Sequence, residues 1–155
     1  MTEKTGTFVA THVDEGSAVL KDVETAQVHT IDESPSFDAG TVLEATIAPQ
    51  PPTEVVWELR SIDERWTVDL IDSDLSPTNQ AESMVADEPP GTVVRTDRAG
   101  TGEIHVLAVP AGEEAATAAD VLADEETIAR AARLGAVRVE VRTGDGLVSV
   151  RYLPE

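Results

Sequence analysis

Alternating apolar and polar positions are clearest in the last third of the chain. Apolar residues occupy every second position of 137–141 and 148–152, and Thr143-Gly144-Asp145-Gly146 separates the two runs. A period of two is typical of a half-buried strand, and glycines in a short break favour a tight turn. The pattern therefore predicts a β-hairpin.

Two helical segments precede this hairpin. Residues 115–122 place Ala115, Ala118, Ala119 and Leu122 on a single stripe, the spacing of an amphipathic helix. A second helix is bounded by Asp124 as N-cap and Gly135 as C-terminal stop, with acids first and arginines last, the order that the helix dipole favours. With a strand at 102–110 they predict a βααββ unit whose sheet both helices cover.

The first half of the chain consists of short β-rich runs with polar or proline-containing breaks. These runs are 6–13, 17–21, 26–31, 41–47, 53–62 and 66–71. Short strands in this arrangement favour a small closed or nearly closed antiparallel barrel. Ser76 as N-cap and Pro77 at the first helical position then predict a short helix. The sequence thus predicts an α+β protein: a barrel at 1–72, a connector at 73–101 and the βααββ unit at 102–155.

Composition points to high salt. The chain has 30 acids against 11 bases, a formal net charge of −19, and its only lysines are Lys4 and Lys21. In molar salt the Debye length falls to about 3 Å, which screens the self-repulsion of such a surface. In a halophile this acidity does not exclude nucleic acid as a partner. The absence of cysteine excludes disulfides and thiol chemistry, and the absence of long apolar runs favours a cytoplasmic protein with no membrane partner.

Two resemblances support this picture. The segments Asp14–Leu20, His29–Ile31 and Ala39–Glu44 resemble the strand layout of small OB-like and SH3-like barrels. The chain from Gly6-Thr-Phe-Val-Ala-Thr-His12 to Ser149-Val-Arg-Tyr-Leu-Pro154 is similar to a haloarchaeal family of unknown function. That resemblance implies a haloarchaeal source and carries no activity.

The acidity of the chain reverses towards its end. Residues 1–75 hold 16 acids and 4 bases, whereas residues 127–155 hold 5 arginines and 3 acids. Arginine suits planar anionic groups such as phosphates and carboxylates. Arg138, Arg142 and Arg151 share the hairpin face opposite the valines. We therefore expect them to form an anion-binding or nucleic-acid-binding patch, or an internal clamp in which they pair with Glu140 and acids of the first half. Arg130 and Arg133 of the preceding helix are further candidates for the binding site.

Other candidate chemistry is sparse. His12 and His29, with Asp14 or Asp32, are the weak candidates for a divalent cation, although their spacing matches no metal motif. An enzyme would have to use these histidines or His105. The two tryptophans, 57 and 66, are either core residues or base-stacking platforms.

The sequence therefore favours a non-enzymatic binding or adaptor module for nucleic acid or an anionic protein surface, with no cofactor. An enzyme with its site between the subdomains is the first alternative. The second is a homodimer in which the strand at 147–152 extends a sheet at its free edge.

Overall fold

The computed structural model describes residues 3–52, 55–97 and 102–154. The chain forms two units, the first comprising Met1–Val68 with Ile128–Arg133 and the second Asp69–Thr127 with Leu134–Glu155. None of the described helices is long and apolar enough to cross a bilayer. The elements are β1 (Lys4–Asp14), β2 (Ser17–Asp22), β3 (Val28–Ile31), β4 (Thr41–Pro49), β5 (Trp57–Thr67), β6 (Asp69–Asp72), α1 (Asn79–Val85), β7 (Val93–Asp97), β8 (Glu103–Ala108), α2 (Glu114–Ala123), α3 (Glu125–Leu134), β9 (Arg138–Gly144) and β10 (Leu147–Leu153).

Five strands of the first unit close into a ring in the order β1-β2-β3-β5-β4, with β4 pairing back onto β1. Every pairing is antiparallel except β3 with β5, which is parallel and joins Ile31 to Trp57. The expected set of antiparallel strands thus contains one parallel pair. Strand alternation sends one side chain in two to the interior, where the buried residues are Phe8, Ala10, Ala18, Leu20, Ile31, Phe37, Leu43, Ala45 and Ile47.

Helix α3 packs on the outer surface of this ring. Its residues Ile128, Ala129 and Ala132 contact outward-facing valines of β1 and β4, Val9 and Val42. The small alanine side chains let the helix backbone approach the strands closely. The expectation that this apolar stripe covers the C-terminal sheet is therefore wrong for residues 128–133, which belong to the ring's unit.

The predicted ends of α3 are confirmed. The Asp124 carboxylate accepts a hydrogen bond of 2.9 Å from the Glu126 amide, as an N-cap side chain does. Gly135 follows the helix with φ +70, the left-handed conformation that glycine adopts without steric cost. Both features are local, which is why the sequence located them.

The second unit is a five-stranded sheet in the order β6-β9-β10-β8-β7. The predicted order β8-α2-α3-β9-β10 is confirmed, and the β9–β10 hairpin turns through Asp145 and Gly146, with Gly144 opposite Leu147. The valines of its apolar face, 139, 141, 148 and 150, are at most 2% exposed. Helix α2 contacts β6, β9 and β10, and α1 packs on β8 and β10.

The boundary between the units differs from the expected one. The runs expected as two barrel strands, 53–62 and 66–71, form instead the single strand β5 and the short β6, which pairs in parallel with β9. β5 continues because β4 offers a hydrogen-bonding partner along its whole length. Thr53 and Glu54 of the expected strand lie outside the described residues.

The expected connector is largely part of the second unit. Its helix begins later than predicted, since Thr78 rather than Ser76 caps α1 by accepting from the Ala81 amide at 3.2 Å. Strand β7 then pairs with β8 and forms one edge of the sheet. Residues 98–101, at the end of the expected connector, lie outside the described ranges.

Strand β10 lies between β9 and β8, so both of its edges are hydrogen-bonded. The hypothesis that residues 147–152 form a free edge for a homodimer is therefore wrong. The edges of this sheet are β6 and β7.

Candidate functional site

Three of the predicted arginines lie on one face of the second unit's sheet. Alternation along β9 puts Arg138, Glu140 and Arg142 on the same side, and Arg151 of β10 is the cross-strand partner of Glu140. One oxygen of the Glu140 carboxylate, Oε1, lies 2.8 Å from Arg142 Nε and 3.8 Å from Arg151 Nε. The side chains of Glu140, Arg142 and Arg151 are only 14–17% exposed. Glu140 thus occupies the position that an external anion would take between these arginines.

The guanidinium of Arg142 is held further by the Ser76 carbonyl oxygen, which accepts a hydrogen bond of 3.3 Å from its Nη1. Arg138 differs, because its Nε is buried and has no hydrogen-bond partner among the described residues. Arg138 therefore retains an unused donor for an anionic group, whereas Arg142 is held by Glu140 and the Ser76 carbonyl oxygen.

The remaining two predicted arginines, Arg130 and Arg133, belong to α3 and to the first unit. Arg133 Nη1 donates to the Val23 carbonyl oxygen at 2.7 Å, which fixes the end of α3 to the loop after β2. The structure therefore divides the five candidate arginines between the two units.

His29 lies inside one end of the ring, 7% exposed, with its ring edge-on to Trp57 at 4.5 Å. The Lys4 ammonium donates to His29 Nε2 at 3.1 Å, to Asp22 Oδ2 at 2.9 Å and to Gln27 Oε1 at 3.0 Å. Burial and the nearby ammonium lower the pKa of His29, while the Asp22 carboxylate opposes them. His29 is therefore held neutral as a hydrogen-bond acceptor.

Asp22 is the carboxylate of the same cluster. Burial disfavours its ionisation, but hydrogen bonds from Lys4 and from the Glu24 and Thr25 amides outweigh burial and hold the pKa of Asp22 below its ordinary value. The Glu24 and Thr25 amides donate at 2.8 and 3.2 Å. We call Lys4, Asp22, Gln27 and His29 the Lys4 cluster.

The weak metal site predicted from His12 and His29 does not form. His12 is exposed, and its Nδ1 lies 3.2 Å from Thr11 Oγ1, whereas His29 points to the ring interior. Across the described ranges, no three histidine or acidic side chains are placed to hold a metal ion. His105, in the other unit, lies 2.8 Å from the Glu103 carboxylate and packs on Tyr152.

The two tryptophans are partly buried in different places. Trp57 packs against the ring interior and against His29. Trp66 packs beneath α3 on the outer surface, with a buried Nε1 that lacks a partner among the described residues. Neither presents a fully exposed face to a base.

A second candidate surface lies on the outer face of β1, β2 and β3. We call His12, Val19, Lys21, Val28 and Thr30 the β1–β3 strip. The strand register joins His12 to Val19 and Val19 to Thr30 in one row, and Lys21 to Val28 in the next. Val28 is 63% exposed, and His12 and Thr30 are also exposed. The strip contains no acid.

Lys21 takes part in none of the ion pairs found among the described residues, although the chain has 30 acids. Its side chain is half-buried beside exposed Val28. The acids that border the strip lie beyond its ends, with Asp14, Glu15 and Asp32 at one end and Glu24 at the other. This surface was not among those predicted from the sequence. The alternation in 17–21 and 28–31, together with the rarity of lysine, is the signal that locates it.

The fold is that of an α+β protein, rich in strands, with a closed ring and a separate five-stranded sheet. The chain belongs to the family DUF5812, a family of unknown function, whose model matches residues 4–143. Neither curated proteins nor solved structures gave a match. The geometry of the candidate surfaces is therefore the basis for a proposed function.

Proposed function

We propose that the protein is a non-enzymatic binding module that meets its partner on the β1–β3 strip. The observation that carries this proposal is the strip itself, a surface with exposed Val28, an ion-pair-free Lys21 and no acid. On a chain with net charge −19, such a surface is where an anionic partner meets least repulsion. The proposed ligand is an anionic group, borne by nucleic acid or by a protein.

An OB-like character of the ring supports the choice of this face. Five strands close in a Greek-key order with one parallel pair, β3 with β5. OB-fold proteins bind their ligands on the face of strands 2 and 3 and on the adjoining loops. A shared fold gives a functional analogy and not an activity, and the face that this analogy favours is the one that the charge distribution favours.

The proposal places the protein in the cytoplasm of a halophile. An acid-rich, lysine-poor surface is well suited to molar salt, where charges separated by more than about 3 Å are screened. Under those conditions a single lysine acts only at contact distance, so the partner has to fit the strip closely.

Anion binding at the arginine face is the second candidate. The observation that favours it is the buried, partnerless Nε of Arg138 beside arginines that already hold one carboxylate. A phosphate or carboxylate contacting Arg138 would satisfy this donor.

The test is a pull-down of the tagged protein from a halophile lysate at molar salt, with and without nuclease. Thr30→Glu places one acid on the strip, and Val93→Glu adds the same charge at an exposed position of β7. We expect a retained partner to be lost from Thr30→Glu and kept by Val93→Glu. Loss from neither variant, with circular dichroism unchanged, would refute the proposed surface. Loss from Arg138→Glu alone would favour the second candidate.

A further inference from the structure

The charge of the β1–β3 strip limits the partners that it can hold. Affinity for nucleic acid comes largely from neutralising several phosphates with lysines and arginines. Lys21 is the one lysine or arginine of the strip, and His12 is an exposed imidazole. A nucleic acid that extends past the strip would reach Asp14, Glu15 and Glu24 at its ends. A long polyanion is therefore a poor match for this surface.

The apolar part of the strip points to a different partner. Val19 and Val28 are diagonal neighbours on β2 and β3, and Lys21 is the direct cross-strand partner of Val28. An exposed valine whose cross-strand partner is a lysine without an ion pair offers an apolar contact and one cationic contact side by side. Such a pair is complementary to a carboxylate next to an aliphatic side chain.

From this complementarity we propose that the β1–β3 strip docks a short protein segment that presents an aspartate or glutamate beside a leucine, isoleucine or valine. The carboxylate pairs with Lys21, and the aliphatic side chain covers Val28 and Val19. Thr30 and His12 supply hydroxyl and imidazole groups for hydrogen bonds at the rim. The inference rests on the proposed function and names its partner class.

The acids that border the strip add selectivity. A segment with several consecutive acids would be repelled by Asp14 and Glu15, whereas a single carboxylate flanked by apolar residues avoids them. At molar salt this repulsion acts only over a few ångströms, so it discriminates at contact between short motifs without preventing approach.

The test selects a random peptide library displayed on phage against the full chain in about 1 M KCl, where long-range repulsion is screened. We expect enriched peptides to pair one acid with an adjacent aliphatic residue. A synthetic peptide of the enriched sequence should bind Lys21→Glu about tenfold more weakly than the wild type. It should bind Arg95→Glu, an equal charge change on exposed β7, within about twofold.

Thr30→Glu serves as a second strip variant at an exposed position, in case Lys21→Glu folds poorly. Enrichment of basic peptides, equal binding to wild type and both strip variants, or no enrichment would overturn the proposed partner. Oligothymidylate is tested in parallel. If it binds the wild type and is lost from Lys21→Glu while no peptide is, the partner class fails and the proposed surface stands. If neither probe depends on the strip, both fail.

Discussion

The contribution of the Lys4 cluster to the stability of the ring can be measured, because the chain's two lysines have opposite surroundings. Lys4→Met removes an ammonium that donates to Asp22, Gln27 and His29 at 2.9–3.1 Å. Lys21→Met makes the same substitution on the outer face, where no ion pair is lost. The pair of variants therefore separates the contribution of the cluster from the general effect of removing a lysine.

The loss of stability expected for Lys4→Met depends on the hydrogen bonds that Asp22 keeps. Its side chain is 6% exposed, but after loss of Lys4 it still accepts hydrogen bonds from the Glu24 and Thr25 amides. The carboxylate is therefore not left without partners, and the loss stays below the ~3–5 kcal/mol of a fully broken buried pair. Lys4 is itself 23% exposed, which weakens the interaction further. We expect Lys4→Met to lower the free energy of unfolding by about 1–3 kcal/mol and Lys21→Met by less than about 0.5 kcal/mol.

The assay is urea unfolding at fixed molar KCl, followed by tryptophan fluorescence, since Trp57 lies edge-on to His29 of the cluster. Lys4→Met should also raise the pKa of His29, because the ammonium that lowers it is gone while the Asp22 carboxylate remains. Equal midpoints for the two variants would refute the view that the Lys4 cluster stabilises the ring. So would an unchanged His29 titration in Lys4→Met.

Three further outcomes are expected. In the folded protein the pKa values of His29 and Asp22 lie below their ordinary values of 6.5 and 3.8. The free energy of unfolding should therefore be highest above pH 6.5 and should fall as the pH drops below 6.5 and then below 3.8. An unfolding midpoint that does not depend on pH would contradict this. Glu140→Gln should lower the free energy of unfolding in urea by about 1–3 kcal/mol, because it weakens the carboxylate contact shared by two arginines. Glu88→Gln, at an exposed position, should leave that free energy almost unchanged. Equal effects of the two substitutions would argue against the shared contact. Gly102→Ala should lower the thermal unfolding midpoint more than Gly112→Ala does. Both glycines have φ near +90, so alanine at either position carries ~1–2 kcal/mol of backbone strain, but only at Gly102 would a Cβ overlap the Tyr152 carbonyl oxygen. Equal thermal midpoints would exclude that overlap.

The candidate surfaces show which features of a site can be predicted from local sequence patterns. Alternation placed Arg138, Arg142 and Arg151 on one hairpin face, and the structure confirms that arrangement. The pattern alone could not decide whether these arginines bind an external partner or pair with Glu140, because that depends on the cross-strand register. That register sets Arg151 opposite Glu140. Arg130 and Arg133, the other two candidates, lie on α3, which packs on the ring.

What the sequence by itself determined is the set of features fixed by neighbouring residues. These are the hairpin at 143–146, the caps of α3 at Asp124 and Gly135, and the order of elements from β8 to β10. Periodicity, capping and turn chemistry act over a few residues, so they can be inferred without knowledge of the rest of the chain.

Only the tertiary structure decided which surfaces meet. The sequence did not reveal that β6 leaves the ring to pair with β9, that β10 has no free edge, or that α3 covers Val9 and Val42. An apolar stripe or a strand edge specifies the chemistry of its partner and not its identity, and several elements here offer the same chemistry. The choice among them is made by long-range packing, which buries the most apolar surface while pairing the most backbone groups.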